Sequence, residues 1–63
     1  MNKNQELVIS YLKENWIISG LYELENNMEC VPENVGVAFE NLTLLEFYEV
    51  IEETVKQLKE ELK

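Results

Sequence analysis

The central segment IISGLYELENNMECVPENVGVAFENL, residues 17–42, admits two structural periods, and the architecture depends on which one holds. With a period of two, Asn26-Asn27 makes a turn, because asparagine tolerates positive φ. A three-residue loop then places Tyr22, Leu24, Met28 and Cys30 on one face of a β-hairpin, with Glu23 and Glu29 facing water. Val35, Val37 and Phe39, alternating with Gly36 and Ala38, read as a third strand at the edge or half buried. With a period of 3.6, Ile17 or Ile18, Leu21, Leu24 and Met28 share one helical face, and Val31-Pro32 stops the helix. The hairpin is the preferred reading. The expected fold is therefore α+β, two helices packed on a small antiparallel β-hairpin or three-stranded sheet, with an all-α three-helix arrangement as the alternative.

C-terminal to this segment, Leu44, Tyr48, Ile51, Val55, Leu58 and Leu62 are spaced alternately by four and three residues, which is a heptad seam. Thr43 followed by Glu46 has the spacing of a capping box, in which hydroxyl and carboxylate each pair with an orphaned backbone N–H. The helix should start at Leu44. Glu46, Glu49, Glu52 and Glu53 crowd its first half and Lys56, Lys59 and Lys63 lie toward its end, the order the helix dipole favours. Glu52 and Lys56 are spaced for an i, i+4 pair. Leu45, Phe47 and Val50 widen the apolar face over the first half, which reads as core. Beyond Val55 the stripe narrows to Leu58 and Leu62, as in a projecting helix that meets one neighbour.

N-terminal to it, Leu7, Val8, Tyr11, Leu12 and Trp16 recur at helical spacing, with Asn2 or Asn4 as cap and Lys13 and Glu14 facing outward. Ser19-Gly20 weakens any continuation, since glycine costs about 1 kcal/mol relative to alanine inside a helix. This first helix is expected to end near Asn15.

Sixty-three residues make one domain, residues 1–63, and a chain of this length buries only roughly 60% of its unfolded surface. Thirteen acidic residues, all Glu, against five Lys give a net charge of -8, while the 46% hydrophobic fraction is that of a folding chain. Disulfide and zinc staples are unavailable, because Cys30 is the only cysteine and there is no histidine. Self-association or a bound partner is left to supplement a thin core. The first residues do not resemble a signal peptide, and no apolar run approaches the ~20 residues of a membrane helix. The expected location is cytoplasmic, without membrane contact.

The composition also limits chemistry. Without histidine or arginine, the usual general acid–base group and the usual grip on phosphate or carboxylate are missing. Ser10, Ser19 and Cys30 have no nucleophile motif around them, and Cys30 reads as a small core residue. The acidic loop from Glu23 to Glu33 lacks the Gly and Asp pattern of a calcium site. No catalytic residue, cofactor or metal site is expected. Five lysines form no basic patch, so direct nucleic-acid binding is not expected either.

Two functional expectations remain. The leading one is a non-catalytic interaction protein that self-associates, as a dimer, through Tyr48, Ile51, Val55, Leu58 and Leu62, with Trp16 as a further contact residue. The alternative is an acidic inhibitor or adaptor that binds a basic surface on a larger protein. Glu46, Glu49, Glu52, Glu53, Glu60 and Glu61 would then imitate the charge row of a DNA backbone. The preference for Glu, Lys, Asn and Ile without Arg or His fits an A/T-rich coding source, such as a low-GC bacterium, its phage or a mobile element.

Overall fold

The computed structural model describes all residues, Met1 to Lys63, and contains helices only. They are α1 (Lys3–Glu14), α2 (Ile17–Asn26), a short 3₁₀ turn at Met28–Cys30, α3 (Glu33–Glu40) and α4 (Leu44–Glu61). The β-hairpin and the third strand do not form, so the α+β expectation is overturned. The all-α alternative is the right class, with four α-helices where three were counted.

The reason lies in what the segment 17–42 packs against. Gly20, read above as a weak point for a helix, sits buried inside α2, where a Cβ would lie 2.8 Å from Cδ2 of Leu12. Its missing side chain lets α2 approach α1 closely, and that packing outweighs the propensity cost. Gly20 and Leu24, four apart, are the buried positions of α2, whereas Tyr22 and Cys30, assigned to the inner hairpin face, are exposed. Cys30 is thus not a core residue. Asn27 adopts φ -132°, and no residue in the chain has positive φ, so the asparagine pair makes no hairpin turn.

The same change of period explains α3. A strand would put Val35, Val37 and Phe39 on one side. The helix instead buries Val35, Gly36 and Ala38, half-buries Phe39 and turns Val37 out to solvent. β-branched residues favour strands only when a pleated surface is there to receive them, and here the neighbour is α1. Pro32, fixed near φ -53°, caps α3 where its lack of an N–H costs nothing.

α1 is the hub, packing against α2, α3 and α4. Its Val8, Ile9, Tyr11 and Leu12 join Leu24, Val31, Val35, Ala38 and Val50 in a nine-residue core. The ends of α1 fall where the sequence put them, with Asn2 as N-cap and Asn15 as C-cap, although Trp16 lies beyond it as the N-cap of α2. α4 begins at Leu44 behind the Thr43–Glu46 capping box.

α1 and α4 run parallel. At their N-terminal ends Gln5 meets Glu46 and Glu49, and at their C-terminal ends Lys13 meets Gln57 and Glu61. The excursion through α2 and α3 returns the chain to the end from which it started. At 18 residues α4 spans about 27 Å at 1.5 Å per residue, which accounts for most of the 34 Å long axis.

Candidate interaction surface

α4 has two apolar stripes, about a quarter turn apart at 3.6 residues per turn. The inner stripe packs into the fold: Val50 and Thr54 are completely buried and Phe47 is half-buried, its ring meeting Phe39 edge-on at 5.7 Å. Thr54 resolves its buried hydroxyl by donating from Oγ1 to the carbonyl of Val50 at 2.7 Å. The outer stripe is the heptad seam. Leu44 is 65% exposed, Tyr48 55%, Val55 41% and Leu62 87%, while Ile51 and Leu58 are half-buried at the boundary between the two stripes.

The first half of α4 was expected to be core on a broad face. Leu44, Leu45 and Tyr48 are exposed instead, because α1 covers only the Phe47–Val50–Thr54 side. Trp16, 72% exposed, stands on a different element, at the start of α2.

The carboxylates of α4 are placed differently from one another. Glu46 accepts from the backbone N–H of Thr43 at 2.9 Å and from Nδ2 of Asn2 at 2.8 Å. Glu49 accepts from Nε2 of Gln5 at 2.9 Å, and Glu53 from Nε2 of Gln57 at 2.9 Å. Glu61 forms the chain's one ion pair, 2.8 Å from Nζ of Lys13. Four of the six glutamates considered for an acidic binding row thus have partners inside the chain, leaving Glu52 and Glu60 without one. The anticipated Glu52–Lys56 ion pair does not close. Lys13, expected to face outward, is half-buried between Gln57 and Glu61.

Gln5 is the residue that sequence reasoning missed. It is 4% exposed, and its Oε1 accepts from the N–H of Asn2 at 3.0 Å. Its Nε2 donates to the carbonyl of Glu46 and to the carboxylate of Glu49. Asn2 and Gln5 form a second capping box, so one glutamine both caps α1 and ties it to α4. The Asn2-x-x-Gln5 spacing was the available signal, but its link to α4 spans more than forty residues and leaves no local trace.

The pKa of Tyr11 is raised above the ordinary phenol value. Burial raises it first, followed by the hydrogen bond that Oη donates to Glu23 at 3.2 Å and by the negative charges of Glu23 and Cys30. The phenol is a core group anchored at its polar tip rather than an acid or base in a cleft.

No three acidic or cysteine side chains converge on a point that could hold a metal ion. No helix is long and apolar enough to cross a membrane. The surface hollows are open grooves, such as that lined by Met1, Gln5, Glu49, Glu52, Glu53 and Lys56 between α1 and α4. Comparison with known proteins finds no match to any family model, curated protein or solved structure.

Proposed function

We propose that this chain is a non-catalytic interaction module that self-associates through the outer seam of α4. The observation that carries the reading is the continuous apolar row of Leu44, Tyr48, Val55 and Leu62, left uncovered by a fold that does bury the adjoining stripe of the same helix. Exposed apolar side chains scattered singly need no explanation, but a row at heptad spacing along 27 Å or so of helix is the geometry of a helix–helix contact. A thin nine-residue core adds a motive, since burying this row stabilises the folded chain as well as the assembly.

Light scattering over a concentration series tests it. The expected mass is twice the 7.5 kDa of the chain. Val55→Glu returns it to one chain weight without loss of helical circular dichroism, because Val55 is 41% exposed in the single chain. A single-chain mass at every concentration refutes self-association and redirects the search to an external partner.

A further inference from the structure

We propose that the groove between the 3₁₀ turn and α3 receives an amphipathic basic helix of another protein, with two lysine or arginine side chains seven positions apart and an apolar side chain between them. The groove shares no residue with the outer seam of α4, so this second surface stands or falls independently of self-association.

Met28 and Glu29 of the turn and Glu33, Gly36, Val37 and Glu40 of α3 line the groove. Its floor is apolar: Gly36 and the adjoining Val31 are buried, Met28 is half-buried and Val37 is 50% exposed. Glu33, Val37 and Glu40 follow one face of α3 at i, i+4 and i+7, which sets the two carboxylates about 10 Å apart along the helix.

Every charged side chain in the groove is a carboxylate. Residues 14–55 hold ten of the thirteen glutamates and no lysine. The glutamates that find a partner within the chain are Glu23, Glu46, Glu49, Glu53 and Glu61, whereas Glu29, Glu33 and Glu40 are exposed and have none. Lys3 lines the adjoining groove with Glu33 and Val37, yet it makes no ion pair. Glu40 is also placed against its own helix. It is the last residue of α3, where the dipole favours a cation, and no basic residue lies in that turn. A carboxylate that the local structure disfavours, at the rim of an apolar floor, has its use outside the fold.

The charge and shape of the groove select the occupant. Its carboxylates do not converge on a point that would hold a metal ion, so the complement is an extended cationic surface rather than a compact ion. Lysine and arginine lay their apolar stems along hydrophobic surface and keep the charged head at a polar rim. On a partner helix two such residues seven apart are spaced by the same 10 Å or so as Glu33 and Glu40, and an apolar residue between them meets Val37 and Met28. The net charge of -8 draws a basic partner in and repels acidic ones.

The probe is a synthetic alanine-based helical peptide with two lysines seven positions apart and a leucine midway, titrated into the isotope-labelled full chain and followed by NMR. Saturable shifts are expected at the Met28 methyl and at the amides of Gly36 and Val37. The Glu33→Gln, Glu40→Gln double variant should bind about tenfold more weakly, with its helical circular dichroism intact. Glu40→Gln alone should weaken binding while leaving the urea midpoint unchanged or higher, since a purely structural carboxylate would lower it. Equal affinity for a control peptide whose lysines are five apart, on different faces of its helix, overturns the proposal as diffuse charge attraction. Shifts spread evenly over the chain, or a double variant that binds as the native chain does, overturn it too. A double variant of lower solution mass than the native chain assigns the groove to a second copy and overturns the external partner.

Discussion

Replacing Gln5 with methionine keeps the length and unbranched shape of the side chain while removing its amide, and so isolates what the hydrogen bonds of this residue contribute. Three are lost: from the Asn2 N–H to Oε1 at 3.0 Å, and from Nε2 to the Glu46 carbonyl at 3.2 Å and to the Glu49 carboxylate at 2.9 Å. Neutral bonds contribute about 1 kcal/mol each and one to an ionised acceptor about 1.5–3 kcal/mol, a gross loss of roughly 4 kcal/mol. Water can re-pair the Asn2 N–H and one face of the Glu49 carboxylate, and the apolar methionine recovers about 1 kcal/mol from burial. The net cost is therefore about 2 kcal/mol. A 63-residue domain has about 3–9 kcal/mol of stability in total, so the variant should remain folded at 25 °C but melt about 8–16 °C lower. Thermal circular dichroism and urea titration measure the loss directly. Glu49→Ala in the same background should cost less than in the native chain, because the two share a bond. A loss below about 0.5 kcal/mol would refute the argument that this amide joins the N-termini of α1 and α4.

Further predictions concern the packing and the exposed groups. Gly20→Ala should destabilise by about 1 kcal/mol despite the better helix propensity of alanine, because its Cβ would press on the fully buried Leu12 at 2.8 Å. Gly36→Ala should stabilise by about 0.5–1 kcal/mol, since the atom it meets at 3.2 Å is the sulfur of the flexible, half-buried Met28; urea midpoints of the two variants should move in opposite directions. Tyr11 ionises at higher pH folded than unfolded, so its contribution is complete below the unfolded value of about 10 and is lost as pH rises through the folded one. Tyr11→Phe should flatten that alkaline loss, visible as urea midpoints compared between pH 9 and pH 11. Cys30 should react with a thiol reagent in the native chain as quickly as in the unfolded one, and slow labelling would contradict its exposure.

The parts of the fold legible in the sequence are those fixed by neighbours close along the chain. Thr43 and Glu46 mark the start of α4 because a capping box needs only three residues, and Asn2 and Asn15 bound α1 for similar reasons. Gly20 was misread because its value as a contact depends on Leu12 in another helix, whereas its propensity cost is visible locally. Val35 to Phe39 offered a pattern compatible with either period, and the choice was made by the presence of α1 rather than a pleated neighbour. On α4 the periodicity located the seam but could not say which of two adjoining stripes the fold covers. Val50 and Thr54 turned out to be the covered one, and a threonine that satisfies its hydroxyl on its own helix carries little apolar signal.

The parallel alignment of α1 and α4 also sets an order of assembly. Contacts between α1 and α2, such as Leu12 with Gly20, close within a few residues, whereas Gln5 reaches Glu46 and Glu49 across separations of 41 and 44. Closing a loop of that length costs about 3 kcal/mol on logarithmic scaling, repaid only once the distant contacts form. α4 is therefore expected to dock last of the four helices, both because it follows the other three in synthesis and because its partner lies near the opposite end of the sequence. Until Thr43 and the residues beyond it have emerged, the side of α1 that α4 covers stays open to water. A nascent chain stalled before that point is expected to leave this side of α1 uncovered, and so to be more open to proteolysis and aggregation than the whole chain.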